Sequence, residues 1–374
     1  MGLPQEEYTL IDVRDEGSAH YGMIPGAVNI PAAVLRAAPI ETFSSLPAEK
    51  ERILYCQRGQ ISGDLVEWLA DEYGLTACNL AGGYNAYLMA AIAQEADDNG
   101  ERQKQAEESL RKKFHKQIFS PFAKACKTYQ LIQEGDHIAV CISGGKDSML
   151  MAKLFQEIKR HRQVSFDLTF LVMDPGYNEA NRALIESNAK LLGIPVTIFE
   201  STIFDAVDQI DKNPCYLCAR MRRGYLYSKA KELGCNKIAL GHHYDDVIET
   251  ILMGMLYGGQ VQTMMPKLHS TNFEGMELIR PMYLVREEDI CKWRDYNNLR
   301  FLQCACHFTE TCSTCHEDGT TASKRLETKK LISALKETNP YIEANIFKSV
   351  ENVNLNTVIA YKQDGIRHHF LDEY

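Results

Sequence analysis

An α/β protein built on two parallel sheets is the fold class that this 374-residue chain predicts, and three observations carry it. Short apolar runs that end at loops, such as YTLIDVR (8–14), RILYC (52–56) and DHIAVCIS (136–143), have the pattern of strands buried on both faces. Segments of helical spacing alternate with them, for example SGDLVEWLADEYG (62–74), which stops at a glycine. A charged stretch, EADDNGERQKQAEESLRKKFHKQ (95–117), separates two such blocks and reads as a linker passing into an amphipathic helix.

The first block runs to about Gln94. In the second, strands are predicted at 136–143, at FDLTFLVMD (166–174), at PVTIFE (195–200) and at KIALG (237–241). Helices are predicted from Asp147 to about Lys159, over NEANRALIESNAKLLG (178–193), over about Tyr216–Leu233, and from Asp245. That alternation indicates βαβ units and a parallel sheet. SKRLETKKLISALKETNP (323–340) closes the order as a C-terminal helix with a proline stop. The expected domains are 1–94, a charged linker with its helix at 95–130, a main domain at 131–350, and a C-terminal tail at 351–374.

Composition narrows the function classes. Hydrophobic content of 45% is enough for proper cores. A net charge of −9 and a pI near 5.7 do not advertise nucleic-acid binding, so an RNA surface would have to be a local basic patch. No apolar run of about 18 residues predicts a membrane span. The start, MGLPQEEYTL, lacks the basic region of a secretory signal and the Ser or Thr of a myristoylation signal. A cytoplasmic location is expected, where twelve cysteines more often mean metal, cluster or redox chemistry than disulfides.

CISGGKDSML (141–150) places two glycines directly after a strand and before a helix. Backbone N–H groups at Gly144 and Gly145 can then face an anion at the helix N-terminus, with Ser143 and Ser148 adding hydroxyls and Lys146 adding charge. Further on, NPCYLCARMRRGYLY (213–227) carries Cys215 and Cys218 three apart at a helix start, where the helix end favours thiolates. A zinc half-site, a redox pair and two structural cysteines are all compatible with that spacing alone. ALGHHYDDVIET (239–250) is dense in polar residues at the end of an apolar strand, the position of ligand sites in α/β sheets.

The Ser143–Ser148 stretch resembles the pyrophosphate-binding loop of the N-type ATP pyrophosphatases, the PP-loop (adenine nucleotide alpha hydrolase-like) superfamily. The resemblance implies that ATP is split at its α-phosphate, so that a substrate oxygen is adenylated and then displaced. It assigns Ser143, Gly144, Gly145, Lys146, Asp147 and Ser148 to ATP, together with Gly241 and His242 of the GHH segment, and lets Asp147 help hold Mg²⁺. Lys146 and Asp147 are the expected catalytic residues of the loop. The combination of SGGKDS, C-x-x-C-x-R-x-R-R-G, GHH-x-DD-x-x-ET and MPKL resembles the tRNA 2-thiocytidine synthetase family over roughly 110–350. That implies a [4Fe-4S] cluster on two cysteines of the C-x-x-C and one downstream cysteine, leaving one iron open for sulfide. Cys215 and Cys218 match directly. FLQCACHFTETCSTCHED (301–318) offers Cys304, Cys306, Cys312 and Cys315; Cys306 is the expected third ligand and Cys304 the second choice. The same stretch also fits a separate zinc site. Cys126, Cys141, Cys235 and Cys291 sit in apolar contexts and read as core. Arg220, Arg222 and Arg223 are candidate RNA contacts, and RKKFHK (111–116) fits either an RNA patch or a solvated helix.

LYCQRGQIS (54–62) places Cys56 at a strand end, where the amides of the following loop would surround its sulfur and Arg58 would add charge. With LIDVR (10–14), GMIPGAVNIP (22–31) and LAGGYNAY (80–87), it resembles a rhodanese domain over about 7–94. That family carries a persulfide on the loop cysteine, which is Cys56 here, inside a loop containing Arg58, Gly59 and Ser62; Asp12 and Arg14 would be framework. The expected function is ATP-dependent thiolation of tRNA, with cytidine C2 as the expected position. Partners would be tRNA and a cysteine desulfurase or other persulfide donor, with no membrane and a homodimer as one compatible assembly. Alternatives are thiolation of another tRNA position or of a small molecule, a non-thiolating PP-loop ligase with a zinc site, and a sulfur-trafficking or redox-sensing module without enzymatic activity.

Overall fold

A computed structural model describes residues 7–94, 99–201, 203, 214–302, 324–372 and 374. Strands β1 (Tyr8–Asp12), β2 (Val28–Asn29), β3 (Glu51–Tyr55) and β4 (Cys78–Asn79) form a wholly parallel sheet in the order β2-β1-β3-β4. Ile11 and Leu54 lie side by side in its register and are fully buried, as are Leu65 and Leu69 one turn apart on the helix Gln60–Tyr73. That helix stops at Gly74 in a left-handed C-cap, where the sequence places its glycine.

The second sheet has the order β7-β6-β5-β8-β10-β9, with β5 (His137–Ile142), β6 (Asp167–Asp174), β7 (Val196–Glu200), β8 (Lys237–Ala239), β9 (Lys267–His269) and β10 (Glu277–Ile279). All of its pairings are parallel except β9 with β10. The central strand β5 has β6 on one side and β8 on the other, so chain order reverses there and opens a crevice at the strands' carboxyl ends. Strands β5 to β8 occupy the predicted runs. The short pair β9 and β10 was not expected, because three residues give no periodicity to read.

The charged segment contributes more than a linker. Helices Asn99–Arg111 and Ser120–Thr128, joined through the π-helical turn His115–Phe119, bury Ala106, Leu110, Phe114, Ile118 and Phe122. Their charges sit outside: Arg111 pairs with Glu107 and Glu157, and Lys112 with Glu108. Leu10, Tyr55, Tyr84 and Leu88 from the first block join the same buried cluster as Ile138, Val140, Met149 and Leu184 from the second. The two α/β blocks therefore share one apolar core.

Tyr244–Met265 and Ser323–Tyr374 make a separate compact unit. Its described helices are Tyr244–Gly258, Lys324–Thr338 and Ile342–Ser349, followed by an antiparallel hairpin of β11 (Ala360–Gln363) and β12 (Ile366–His369). The ring of Tyr244 stacks on Phe347 at 4.6 Å, and Arg325 is ion-paired with Asp246 and Glu249. Among the described residues, no helix is long and apolar enough to cross a membrane.

Candidate active site

Directly after β5, the backbone turns through Gly144 at φ +84°, into a space that admits no side chain: a Cβ would lie 2.6 Å from Ile185 Cγ1. Gly145 caps the helix Lys146–Arg160, so unpaired amides of its first turn face the end of the sheet. The loop is cross-braced by Ser148, whose Oγ accepts from Ser143 N–H at 3.1 Å and donates to the Gly145 carbonyl at 3.0 Å. Ser143 Oγ lies 3.3 Å from the same hydroxyl and is exposed.

Lys146 is only 2% exposed. Its Nζ donates to both carboxylate oxygens of Asp147 at 3.1 Å, to Glu287 Oε1 at 3.2 Å and to Tyr21 OH at 3.4 Å. Burial pulls its pKa down, but Asp147, Tyr21 and Glu287 outweigh burial and raise it, so the ammonium stays charged. From the end of β8, Gly241 approaches so closely that a Cβ there would lie 3.2 Å from Ser148 N. His243, buried, brings Nε2 to 3.9 Å from Asp147 Oδ1. His242, the histidine expected at the nucleotide, is half-buried beside it. A charged ammonium, two glycines and a helix N-terminus fit the polyphosphate of a nucleotide; a carboxylate at Asp147 fits a divalent cation.

The second loop follows β3. Cys56 is buried, and its Sγ accepts from Gly59 N–H at 3.1 Å and lies 3.5 Å from Ser62 N and 3.3 Å from Ser62 Oγ. Asn79 ties the cradle together: its Oδ1 accepts from Ser62 Oγ at 2.7 Å and its Nδ2 donates to the Gly59 carbonyl at 2.8 Å. The cradle thus sets two loop amides and one hydroxyl around a single sulfur. Arg58 is exposed and lines a crevice of about 360 Å³ with Asn85, Met89, Asn178 and Glu179. Framework residue Asp12 is fully buried and gives its carboxylate to Arg14 at 2.6 Å.

Two family profiles match: the PP-loop domain over residues 110–306 and the rhodanese-like domain over 2–90. A tRNA-cytidine(32) 2-sulfurtransferase from Syntrophotalea carbinolica is 34% identical over 233 residues, covering 62% of this chain and 86% of that protein. The protein of the same name from Aliivibrio fischeri is 40% identical over 195 residues, covering 51% of this chain and 63% of that one.

The chain belongs to this PP-loop sulfurtransferase family.

By that membership it is a PP-loop sulfurtransferase, with a rhodanese-like domain ahead of the PP-loop domain. Among solved structures, the U34-tRNA thiolase NcsA from Methanococcus maripaludis with its [4Fe-4S] cluster aligns at a TM-score of 0.49 and 21% identity, covering 62% of this chain and 76% of that one.

In this sulfurtransferase Cys215 and Cys218 lie in the first turns of the helix Pro214–Glu232, and their side chains are outside the described part. Cys304, Cys306, Cys312 and Cys315 lie wholly outside the described residues, and so does the zinc alternative built on them. Cys126, Cys141 and Cys235 are buried, as expected of core cysteines, and Cys291 is half-buried. Burial pushes the Cys141 thiol up to about 12 and also raises Cys126, Cys235 and Cys291, which keeps them protonated. Arg220 and Arg223 are exposed on their helix, while Arg222 is half-buried. Sequence reading missed Tyr21, Asn79, His243 and Glu287. His243 had a signal, the second histidine of GHH; Tyr21 and Glu287 had none.

Proposed function

We propose that this enzyme 2-thiolates a tRNA cytidine, the position-32 base named for its relatives, using sulfur carried as a persulfide on Cys56. The observation that carries the reading is the pairing, in one folded unit, of a phosphate-shaped loop at Ser143–Ser148 with a thiol-shaped loop at Cys56–Ser62. ATP would lay its β- and γ-phosphates on the amides of Gly144 and Gly145, with the exposed hydroxyl of Ser143 as a further donor and Ser148 bracing the loop from behind. Lys146 would exchange a carboxylate partner for phosphate oxygen, and Asp147 would turn to Mg²⁺. Attack of the cytidine O2 on the α-phosphate forms an O–P bond and breaks the bond to pyrophosphate. A sulfur nucleophile then adds at C2 and AMP leaves with the oxygen; an external thiol reductant would supply the two electrons that cleave the Cys56 persulfide S–S bond, returning Cys56 as a thiol. The buried lysine matters because a fixed positive charge offsets the negative charge that builds on departing pyrophosphate.

At the other loop, Gly59 N–H and Ser62 would hold the sulfur anion. A [4Fe-4S] cluster on Cys215, Cys218 and Cys306 would supply an iron able to bind sulfide. The direct test is mass spectrometry of unmodified tRNA incubated with enzyme, ATP and a sulfur source, alongside pyrophosphate measurement. Equimolar 2-thiocytidine and pyrophosphate are expected. Pyrophosphate without thionucleoside would reject thiolation while leaving the ATP site intact.

A further inference from the structure

We propose that Tyr21, from the rhodanese-like domain, is a positioning residue of the ATP loop: its phenol holds Lys146 ready for phosphate. This rests on the ATP reading above. The ammonium has three protons to share among four oxygens: two on Asp147, one on Glu287 and the Tyr21 hydroxyl. Three of those oxygens belong to carboxylates, which compete with phosphate for the lysine. The phenol is neutral, and burial raises its pKa further, so it anchors Nζ without adding a competing charge. Its ring also stands near the cation, with the centroid 5.4 Å from Nζ.

The turn that carries Tyr21 is pinned on its C-terminal side by two hydrogen bonds. Tyr21 is the last residue of the helix Glu16–Tyr21. The next carbonyl, Gly22, accepts from Arg14 Nη2 at 2.7 Å, and Ile24 N–H donates to Tyr55 OH at 3.1 Å. Tyr55 OH in turn donates to Asp12 Oδ2 at 2.9 Å, and the Arg14 guanidinium lies 4.1 Å from the centroid of Tyr84. Arg14 Nη1 also donates to Gln57 Oε1, on the residue that follows Cys56. One buried guanidinium therefore touches both the cysteine loop and the turn that reaches the ATP loop. Asp12 and Arg14 read from sequence as framework, and this is what the framework aims.

The test uses the full-length enzyme and four forms: wild type, Tyr21→Phe, Lys146→Ala and the double variant. ATP affinity is read by calorimetry, and persulfide loading of Cys56 by mass spectrometry. Tyr21→Phe should weaken ATP about tenfold, the lower end of the scale for one hydrogen bond to a charged group, with loading of Cys56 unchanged. In the Lys146→Ala background it should add nothing, because the phenol acts through that lysine. Tyr21→Leu, which also removes the ring, should be worse than Tyr21→Phe. An unchanged affinity in Tyr21→Phe, or an equal loss with and without Lys146, overturns the proposal. Full ATP affinity in Lys146→Ala overturns the ATP-loop reading along with it.

Discussion

Glu287 Oε1 accepts a hydrogen bond from Lys146 Nζ at 3.2 Å across 141 residues of sequence. The carboxylate stands in the first turn of the helix Glu287–Tyr296, beside Glu288 and Asp289, and competes with any phosphate for the same ammonium. Replacing Glu287 by Gln keeps the shape and removes the charge. The KM for ATP should fall about fivefold, the scale of one charge-assisted bond at a partly solvated site. A rise in KM would instead assign Glu287 to holding a cation or aiming the lysine.

Lys146→Ala and Asp147→Ala should each abolish pyrophosphate release while iron content stays at the wild-type level. The loop and the six cysteines proposed or weighed as ligands occupy separate stretches of the chain, so damage to one leaves the other. Undiminished ATP cleavage in both variants would refute the PP-loop site.

Gly59 sits at φ +87°, and a Cβ there would lie 2.9 Å from Gly82 N and 3.0 Å from the Leu80 carbonyl. Both obstacles are backbone and cannot step aside. Gly59→Ala should cost about 1–3 kcal/mol of stability and block persulfide loading as fully as Cys56→Ala does. In Cys56→Ala itself, thiolation driven by free sulfide should survive. Loss of that sulfide-driven reaction would move Cys56 from sulfur carriage into the chemical step.

For the cluster, Cys306→Ala should lower iron content and activity more than Cys315→Ala, and the Cys304/Cys306 double variant should be colourless. An iron-free Cys312/Cys315 variant beside a brown, active Cys304/Cys306 one would reassign the third ligand.

What could be read in advance follows from how local each feature is. The geometry of the loop at Ser143–Ser148 was legible because a strand end, two glycines, the helix start and its polar side chains fall within consecutive residues. Cys56 was legible for the same reason, since Gly59 and Ser62 are its near neighbours in sequence. Asn79 braces that cradle from β4, 17 residues beyond Ser62, and a lone asparagine before LAGG carries no periodic signal. Tyr21 lies 125 residues from the lysine it touches, and no pattern in one sequence links them. The polar density of GHHYDD read as ligand chemistry throughout, whereas Asp246 is ion-paired with Arg325 inside the C-terminal unit.

Tyr84 and Leu88 on the helix Gly83–Gln94 belong to the same buried cluster as Leu184 and Ile185 on the helix Glu179–Leu191. Opening that seam would wet side chains from both domains at once, so heat should melt them in a single transition. For a sulfur carrier this changes the kinetics of supply. A free-standing carrier must find its acceptor anew for every turnover, at a rate proportional to its concentration. One that shares a core with its acceptor has no such encounter to wait for and no rival acceptors to visit. If Cys56 carries the sulfur as proposed, the bimolecular step that remains on the supply side is the visit of an outside donor to Cys56.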